Sequence, residues 1–457
     1  MGPQTLRIAC RGSRLSLAQT EEALAVMRPL FPSGTMFTLC PLDTPGDRDK
    51  QTPLTDLSVP DDYFTRDLDQ ALLRGEADLA VHSAKDLPRT LPAGLAVAAI
   101  LPGKDPRDAL VSRADWDRAM PPEVIGTSSP RRTEAMQKLV PGARLAPLRG
   151  TIDERIAKLD RGEFDAIIVA ACALERLGLA HRINGYLPYA AAPLQGRLAV
   201  TVRADADEWI ERLKSADFRL HLLEESGAPA TIPPVNDSRP LTLFVGTNAS
   251  HFPQYEPMIQ WPLIKLVPGP REKRIQALQG ALAAARGVLF ASPFAVRCFV
   301  DALMHWKDGR ALVGKTLLAA GPSTAREIED VGFQPAAASA GFGGLGELLE
   351  SLNETCAGRY FYPCSTRAPT EDRIAAARRK GIELMPHCFY ENQPVSPGPL
   401  PATNFQRVLF TSPSTVESYF ASYPDEMQCE REWLAIGPST LEALQQRGLK
   451  GVLIDET

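Results

Sequence analysis

Residues 288–303 read VLFASPFAVRCFVDAL, and residues 408–423 read VLFTSPSTVESYFASY. A second similar pair follows, with LLAAGPSTAREIEDVGF at 317–333 and WLAIGPSTLEALQQRGL at 433–449. In all four segments an apolar run that is typical of a buried strand leads into Ser-Pro or Gly-Pro and then into a helical pattern. Proline suits the first turn of a helix, because the amide hydrogen that it lacks would be unpaired there anyway. The segments therefore predict strand–helix units of an α/β fold, duplicated in two related lobes.

The same alternation of strand and helix patterns occurs before residue 226. The run LRIAC leads into a predicted helix at Ser13–Met27, and FDAIIVAAC precedes a predicted helix at ALERLGL. The run ADLAVHSAKDLP, at 77–88, predicts a buried strand that ends in a polar turn. Open α/β sheets bind ligands at the carboxyl ends of their strands, which is where these polar residues fall. Between the halves, SGAPATIPPVNDSRP at Ser226–Pro240 has the composition of a linker.

Composition limits the classes of function. The net charge of the 457-residue chain is −5, so we expect neither a nucleic acid nor a membrane surface as a partner. The eight cysteines are scattered without a CxxC pair, and we expect no metal site. No stretch approaches about 18 uninterrupted apolar residues and no leader pattern opens the chain, which predicts a cytoplasmic protein. The sequence leaves the oligomeric state open.

Arginines in the first half recur where helices are predicted to begin. They lie in RGSRLSLAQ, GTSSPRRTEAM, RGTIDERIAKL and ERLGL. A guanidinium group matches the planar fork of a carboxylate, and each charge-assisted hydrogen bond is worth about 1.5–3 kcal/mol. Taken singly, each of these arginines also fits a solvated surface position. Their shared placement at strand ends and helix starts instead predicts one cleft for an anionic ligand.

The segment VHSAKDLP suggests chemistry. His82, Ser83, Lys85 and Asp86 follow an apolar run. A carboxylate among cations stays ionised, and it can stabilise a cationic intermediate or exchange a proton with it. The alternative is an aspartate turn closed by Pro88, and the segment by itself favours that interpretation.

Six segments together resemble porphobilinogen deaminase (hydroxymethylbilane synthase) from about Leu6 to Arg203. They are RGSRLSLAQ, FTRDLDQALL, AVHSAKDLP, GTSSPRR, RGTIDERIAKLDRGEFDAIIVA and ALERLGL, in the order and spacing of that family. The resemblance implies two periplasmic-binding-protein-like lobes around a cleft that joins four porphobilinogens with loss of ammonia. It implies Asp86 as the catalytic carboxylate. The residues that it implies for binding acetate and propionate groups are Arg11, Ser13, Ser83, Lys85, Thr127, Ser129, Arg131, Arg132, Arg149, Arg155 and Arg176.

The chain departs from that family where the cofactor is held. In the family, a third domain carries a Cys in a Gly-Gly-Cys setting that is thioether-linked to a dipyrromethane primer. No Cys lies between Cys172 and Cys298, so the expected dipyrromethane lacks its attachment residue, and no other cofactor is expected. The loop that usually supplies lysines reads LTDLSVPDDY, and the Gly-Gln-Gly-Ala turn has become Leu194–Arg197. Two alternatives follow: a primer held without a covalent bond, or a half that binds a linear tetrapyrrole without making it.

From about Leu241 onward the chain resembles uroporphyrinogen-III synthase. The matching segments are FASPFAV, AAGPSTA, YFYPCSTRAPTEDRIAAARRKGIELMPHCFYENQP, VLFTSPSTVESYF and LAIGPSTLEAL. The resemblance implies two flavodoxin-like lobes that close hydroxymethylbilane into a ring with inversion of the last pyrrole. Such a site mainly folds its substrate and shields a cation, so it needs few acids or bases.

The same resemblance implies a set of site residues for the second half. Tyr390 and Thr440 would be catalytic, and substrate would contact Thr247, Ser292, Ser323, Ser412 and Ser439. For Tyr390 a half-buried position between the lobes is an equally good interpretation. For Ser412 and Thr440 a plain helix cap is equally good.

The predicted fold class is α/β, with two periplasmic-binding-protein-like lobes followed by two flavodoxin-like uroporphyrinogen-III-synthase lobes. The predicted ranges are 1–225 for the first half (lobes of about 1–97 with 190–225, and about 98–189), 226–240 for the linker and 241–457 for the second half (lobes 241–265 with 392–457, and 266–391). We predict a bifunctional enzyme of tetrapyrrole (haem precursor) biosynthesis that uses porphobilinogen, hydroxymethylbilane or both. Cyclisation to uroporphyrinogen III is the firmer of its two activities. The alternative for the first half is a non-catalytic module that passes a linear tetrapyrrole to the synthase.

Overall fold

The computed structural model of the protein has two compact units, Met1–Phe218 and Arg219–Thr457. The residues that it describes are 5–49, 52, 60–88, 90–113, 122–189, 191–223, 240–246, 252, 255, 257–341, 344–352, 356–366, 371–395, 398–401 and 404–454. Thr247 and most of the predicted linker lie outside the described residues. Within the described part of the chain, no helix has the length and apolar character that spanning a membrane requires.

The first unit contains ten strands and seven α-helices in its described residues. In chain order they are β1 (Thr5–Arg11), α1 (Arg14–Met27), β2 (Met36–Leu42), α2 (Pro45–Arg48), α3 (Arg66–Leu73), β3 (Leu79–Ser83), β4 (Leu95–Ile100), β5 (Asp108–Ser112), β6 (Val124–Gly126), α4 (Pro130–Leu139), β7 (Arg144–Ala146), α5 (Ile152–Asp160), β8 (Ala166–Ala170), α6 (Ala171–Arg176), β9 (Gly185–Tyr186), β10 (Leu198–Arg203) and α7 (Asp207–Leu213).

These strands form two five-stranded sheets, in the orders β2-β1-β3-β10-β4 and β7-β6-β8-β5-β9. The chain leaves the first sheet after β4, builds the second and returns as β10, which runs antiparallel to β3 and β4. The whole of β4 belongs to the first sheet, so the expected boundary between residues 97 and 98 falls inside a strand. Each sheet has its own core, around Ile8 and Val200 in the first and around Ile167 and Leu174 in the second. The predicted pair of lobes in the first half is confirmed.

The second unit alternates strands and helices along most of its length. Its elements are β11 (Thr242–Phe244), β12 (Met258–Gln260), β13 (Ile264–Pro268), α8 (Arg271–Ala281), β14 (Gly287–Phe290), α9 (Pro293–Trp306), β15 (Thr316–Ala319), α10 (Pro322–Asp330), β16 (Ala337–Ala338), α11 (Gly344–Ser351), β17 (Gly358–Ser365), α12 (Glu371–Arg379), β18 (Ile382–Pro394), β19 (Arg407–Phe410), α13 (Pro413–Ser422), β20 (Glu432–Ala435), α14 (Pro438–Gln445) and β21 (Gly451–Leu453).

Two sheets again define two lobes, with the orders β13-β18-β17-β14-β15-β16 and β12-β11-β19-β20-β21. Strand β11 pairs in parallel with β19, so the start of the unit lies in the same sheet as its end. The two expected lobe boundaries, after residues 265 and 391, fall inside β13 and β18. These strands are antiparallel partners in the six-stranded sheet.

The predicted internal repeat is confirmed in the second unit. Strand β14 leads into α9 as β19 leads into α13, and both helices begin with Pro in the first turn. Ser292 accepts a hydrogen bond from the amide of Ala295 at 3.2 Å, and Ser412 accepts one from the amide of Thr415 at 3.3 Å. Strands β14 and β15 are parallel neighbours, as are β19 and β20. Each lobe therefore presents two adjacent strand ends and helix starts on one edge.

Candidate functional site

Asp86 ends a short 3-10 turn, Ala84–Asp86, that follows β3 directly. Strand β3 is the neighbour of β1 in the first sheet, so the carboxyl ends of the two strands meet at one edge. A small pocket at this edge is lined by Arg11, Ser16, Gln19, Phe64, Val81, His82, Ser83 and Asp86. The structure thus brings together Arg11, Ser83 and Asp86, which the sequence predicted from separate segments.

The hydroxyl groups at this edge are already oriented by protein contacts. Ser83 accepts a hydrogen bond of 2.8 Å from the side-chain amide of Gln19. Ser13 caps α1 and accepts a hydrogen bond from the amide of Ser16 at 3.2 Å. Helix α1 therefore aligns both serines beside the pocket that Asp86 lines.

His82 forms a neutral wall of the pocket. Its Nε2 lies 2.9 Å from the hydroxyl of Thr201 on β10. Burial, with a smaller contribution from the charge of Arg11, lowers the pKa of His82 to about 4. His82 is therefore uncharged at neutral pH, and Asp86 is the ionisable carboxyl group of the pocket.

Arg11 is paired with a carboxylate that the sequence analysis did not identify. Its Nε donates to Asp47 at 2.9 Å, its Nη2 donates to the second oxygen of the same group, and its guanidinium lies over the ring of Phe64. Thr44 also binds Asp47, through its amide at 3.1 Å and its hydroxyl at 2.7 Å. Burial works to raise the pKa of Asp47, but the hydrogen bond and charge of Arg11 outweigh it and leave that pKa below its ordinary value.

Arg131 and Arg132 share a second carboxylate. Asp108 opens β5 and has no exposed surface. Its two oxygens accept hydrogen bonds from Arg131 at 2.6 Å and from Arg132 at 2.7 Å, at the first turn of α4. Burial alone would raise the pKa of Asp108, but the two guanidinium groups hold it below its ordinary value. Thr127, at the same helix start, accepts a hydrogen bond of 3.3 Å from the amide of Ser129.

Gln195 connects this carboxylate to the turn that carries Asp86. Its side-chain nitrogen donates to Asp108 at 2.9 Å, and its side-chain oxygen accepts from Lys85 at 3.1 Å. Gln195 lies just before β10, on the chain that returns from the second sheet to the first. The two lobes are thereby linked by a continuous set of polar contacts at the base of the cleft.

Arg149 and Arg155 differ from the other predicted arginines. Arg149 donates to the carbonyl oxygen of Asp49 at 2.6 Å, and Arg155 donates to that of Gly150 at 2.9 Å. The buried Nε of Arg149 has no hydrogen-bond partner among the described residues. Burial, followed by the charges of Arg132, Arg149 and Arg11, lowers the pKa of Arg155 to about 10. Arg155 therefore stays charged at neutral pH. The described hydrogen bonds of both guanidinium groups go to neutral oxygens, so both are suited to an added carboxylate.

Arg176 is bound by a third acid. Its guanidinium donates to both oxygens of Glu22, at 3.1 and 2.8 Å, and to the carbonyl of Gly196 at 2.7 Å. The Arg176 side chain is only 2% exposed. The predicted ligand contact of Arg176 is therefore occupied by protein groups in this structure.

Tyr390 and Ser292 meet in the six-stranded lobe of the second unit. The two hydroxyl groups lie 2.8 Å apart, and the ring of Phe294 packs edge-on against Tyr390. Burial raises the pKa of Tyr390 to about 12. Ser323 is half-buried in the first turn of α10, after the neighbouring strand. These three predicted residues therefore lie at one end of the same sheet.

The remaining predicted residues belong to the five-stranded lobe. Ser412 caps α13, and its hydroxyl lies 2.8 Å from that of Ser414. Ser439 is exposed and Thr440 is buried in the first turn of α14. Strands β19 and β20 are adjacent, so these hydroxyl groups follow neighbouring strand ends.

The sequence did not predict the three acids that bind the arginines, Glu22, Asp47 and Asp108, or the linking residue Gln195. Asp108 had a usable signal, because an aspartate that opens the apolar run DALVS must be buried and so requires cationic partners. Thr44 and Asp47 have capping-box spacing, but that signal indicates only a helix start. Glu22 lies in an ordinary helical position and carries no local signal.

Two family models match the chain. Residues 6–211 match the model described as porphobilinogen deaminase, dipyromethane cofactor binding domain, and residues 255–457 match uroporphyrinogen-III synthase HemD. The porphobilinogen deaminase of Chromobacterium violaceum is 45% identical over 203 residues, which are 43% of this chain and 65% of that protein. The porphobilinogen deaminase of Burkholderia thailandensis is 42% identical over 219 residues, which are 46% of this chain and 66% of that protein. The chain thus spans slightly less than two thirds of the length of these curated relatives.

A solved structure also resembles part of the chain. It is a mutant uroporphyrinogen III synthase from the extremely thermophilic bacterium Thermus thermophilus, with 19% sequence identity and a TM-score of 0.36. The match covers 48% of this chain and 94% of that one.

Proposed function

Because the chain joins a porphobilinogen deaminase domain to a uroporphyrinogen-III synthase domain, we propose that it is a bifunctional enzyme of tetrapyrrole biosynthesis. The first unit condenses porphobilinogen into hydroxymethylbilane, and the second closes hydroxymethylbilane into uroporphyrinogen III. One observation carries the first activity. The guanidinium groups of Arg149 and Arg155 donate to carbonyl oxygens in their described hydrogen bonds, which leaves their charge for a ligand carboxylate. Both arginines lie in the same pair of lobes as Asp86.

The cations of the first unit bind substrate and Asp86 assists the chemistry. Porphobilinogen carries an acetate and a propionate, which match Arg149 and Arg155. The aminomethyl group reacts in its protonated form, so that neutral ammonia leaves with the electrons of the carbon–nitrogen bond and a cationic methylene-pyrrolenine remains. A carboxylate fixed beside it stabilises that charge. The free carbon of a second pyrrole then forms the new carbon–carbon bond and loses its proton, which Asp86 can accept.

The residues present do not fit a thioether-linked dipyrromethane. The cysteines of the first unit are Cys10, Cys40 and Cys172. Cys10 and Cys172 are buried, and burial raises the pKa of both thiols above the ordinary value. Cys40 lies on β2, the edge strand of the first sheet. We propose that this unit works without a covalently attached primer.

Ring closure in the second unit requires positioning and one hydrogen-bond donor. Hydroxymethylbilane loses hydroxide to give a cationic azafulvene, and attack on it by a substituted carbon of the terminal pyrrole gives a spiro intermediate. The earlier bridge bond at that carbon then breaks, and closure at the free carbon of the same pyrrole, with loss of its proton, gives the inverted ring. Tyr390 keeps its proton at neutral pH because its pKa is about 12, so it can donate to the leaving hydroxyl group. Ser292 fixes the orientation of that phenol.

Both activities can be assayed on the full chain. Incubation with porphobilinogen is expected to release ammonia and to yield uroporphyrinogen III, whereas the Asp86→Asn variant should lose ammonia release and still cyclise preformed hydroxymethylbilane. A chain that binds hydroxymethylbilane tightly but releases no ammonia would instead be a binding module in its first unit. The intact mass of the purified protein is expected to show no adduct, and a dipyrromethane adduct would contradict the non-covalent proposal.

A further inference from the structure

Glu22 joins the two lobes of the first unit. It lies on α1, which packs beside the first sheet, and its carboxylate binds Arg176 at the end of α6, which follows β8 of the second sheet. Lys104, on the chain that crosses between the sheets, places its Nζ 3.3 Å from the same carboxylate. One acid from the first lobe therefore holds two cations from outside it.

This acid is held differently from the other two acids of the site. Asp108 is fully buried between two arginines and Gln195, and Asp47 is fixed by the amide and hydroxyl of Thr44. The side chain of Glu22 is 25% exposed, and its described contacts are those to Arg176 and Lys104. Burial works to raise the pKa of Glu22, but Arg176 and Lys104 outweigh it and keep that pKa below its ordinary value.

We propose that Glu22 is an internal carboxylate that occupies Arg176 while the cleft is empty, and that a carboxylate of a pyrrole ligand displaces it. The identity of the ligand rests on the proposed function. The Arg176 side chain is 2% exposed, and Glu22 accepts hydrogen bonds from both its Nε and its Nη2, so a ligand carboxylate can bind that edge of the guanidinium only when Glu22 leaves. Glu22 is thus a positioning residue that sets how strongly this end of the cleft holds a carboxylated pyrrole.

The Glu22→Gln variant of the full chain tests this competition. Porphobilinogen binding at low salt, measured by titration calorimetry, is expected to be about three- to tenfold tighter than in the wild-type protein, because a charged competitor of the ligand is lost. Asp153→Asn is the matched control. It removes the same charge from another pair between the lobes, Arg14–Asp153 at 2.8 Å, which is exposed. That control is expected to change the affinity less than about twofold.

A double variant shows whether the gain acts through Arg176. In the Arg176→Gln background, the Glu22→Gln substitution is expected to give no gain in affinity. A gain that persists without Arg176, or that equals the gain from Asp153→Asn, overturns the proposal because it would reflect only the net charge of the cleft.

Hydrogen exchange without ligand separates this proposal from the proposed function. The amides of residues 171–176 are expected to exchange faster in Glu22→Gln than in the wild-type protein, and to exchange at the wild-type rate in Asp153→Asn. If the wild-type chain neither binds porphobilinogen nor releases ammonia, the proposed function fails while the exchange rates still decide the role of Glu22. Unchanged exchange in Glu22→Gln overturns that role.

Discussion

The guanidinium group of Arg132 donates a 2.7 Å hydrogen bond to Asp108, a carboxylate with no exposed surface. Arg131 binds the second oxygen of that group at 2.6 Å. A buried acid thus fixes the orientation of two arginines at the start of α4. Asp108 also accepts a 2.9 Å hydrogen bond from the side-chain amide of Gln195, which lies just before β10.

Replacing Asp108 with asparagine is expected to destabilise the first unit by about 3–5 kcal/mol, because it leaves Arg132 buried without a counter-charge. Urea unfolding followed by circular dichroism measures the loss. Asp105→Asn is the control, since Asp105 pairs with the exposed Arg107 and its loss should change stability by less than about 1 kcal/mol. Equal losses in the two variants would show that the burial of Asp108 is unimportant.

Replacing Arg155 with glutamine is expected to raise the KM for porphobilinogen by about ten- to hundredfold, the equivalent of one charge-assisted hydrogen bond. The pKa of about 10 keeps Arg155 charged throughout the assay range. Initial rates of ammonia release measure the effect, and Arg161→Gln serves as the control because Arg161 pairs with Glu163 on the surface. An unchanged KM would remove Arg155 from the binding site. Cyclisation of hydroxymethylbilane by the second unit should be the same in both variants.

The strand–proline–helix segments were predictable because each signal is local. An apolar run, a proline in the first turn and a capping hydroxyl all lie within a few residues of one another. Ser292 and Ser412 cap their helices at the positions that this pattern predicts. The arrangement of Arg11 and Asp86 at one edge was predictable for a related reason, because parallel neighbouring strands end together.

The acids that bind the arginines were not predictable from local patterns. Glu22 and Arg176 are 154 positions apart, and they meet only because two separate sheets fold side by side. An arginine at a helix start looks the same in sequence whether it faces water, a ligand or a buried carboxylate. The residues at which the lobes divide depend on similar long-range contacts, since strand pairing assigns β4, β13 and β18 to their sheets.

Replacing Gly196, in the turn before β10, is expected to lower the stability of the first unit. The φ of Gly196 is 91°, and a Cβ atom there would lie 2.4 Å from the carbonyl oxygen of Lys104. Gly196→Ala is expected to lower the Tm, because both the backbone conformation and the close contact disfavour a side chain. Gly178→Ala has open space and isolates the effect of positive φ alone. Equal losses in the two variants, measured by thermal unfolding, would show that the contact with Lys104 does not matter.

Replacing Asp69 is expected to raise the free energy of unfolding by an amount that depends on pH. Asp69 is buried on α3, and neither carboxylate oxygen has a hydrogen-bond partner among the described residues. Burial raises the pKa of Asp69 to about 6, so the folded state loses stability as pH rises from about 4 through 6. Asp69→Asn is expected to stabilise the protein by about 3 kcal/mol at pH 8 and by little at pH 4. Calorimetry at both pH values separates this effect from a change in helix propensity. The control is Asp67→Asn on the same helix, since the Asp67 side chain is 37% exposed and pairs with Arg48.

Removing the hydroxyl group of Tyr390 is expected to slow catalysis in the second unit. Tyr390→Phe removes the hydroxyl group that lies 2.8 Å from Ser292 and that would donate to the leaving group. The rate of hydroxymethylbilane consumption is expected to fall by about tenfold or more, with a larger share of product closed without inversion. Ser292→Ala leaves the phenol in place and should slow the reaction less. Tyr423→Phe, which removes another hydrogen-bonded phenol, should leave the rate unchanged.

Since the pKa of Tyr390 is about 12, the wild-type rate should show no loss of this donor between pH 7 and 9. A Tyr390→Phe variant with the wild-type rate and isomer ratio would assign Tyr390 to packing against Phe294 alone.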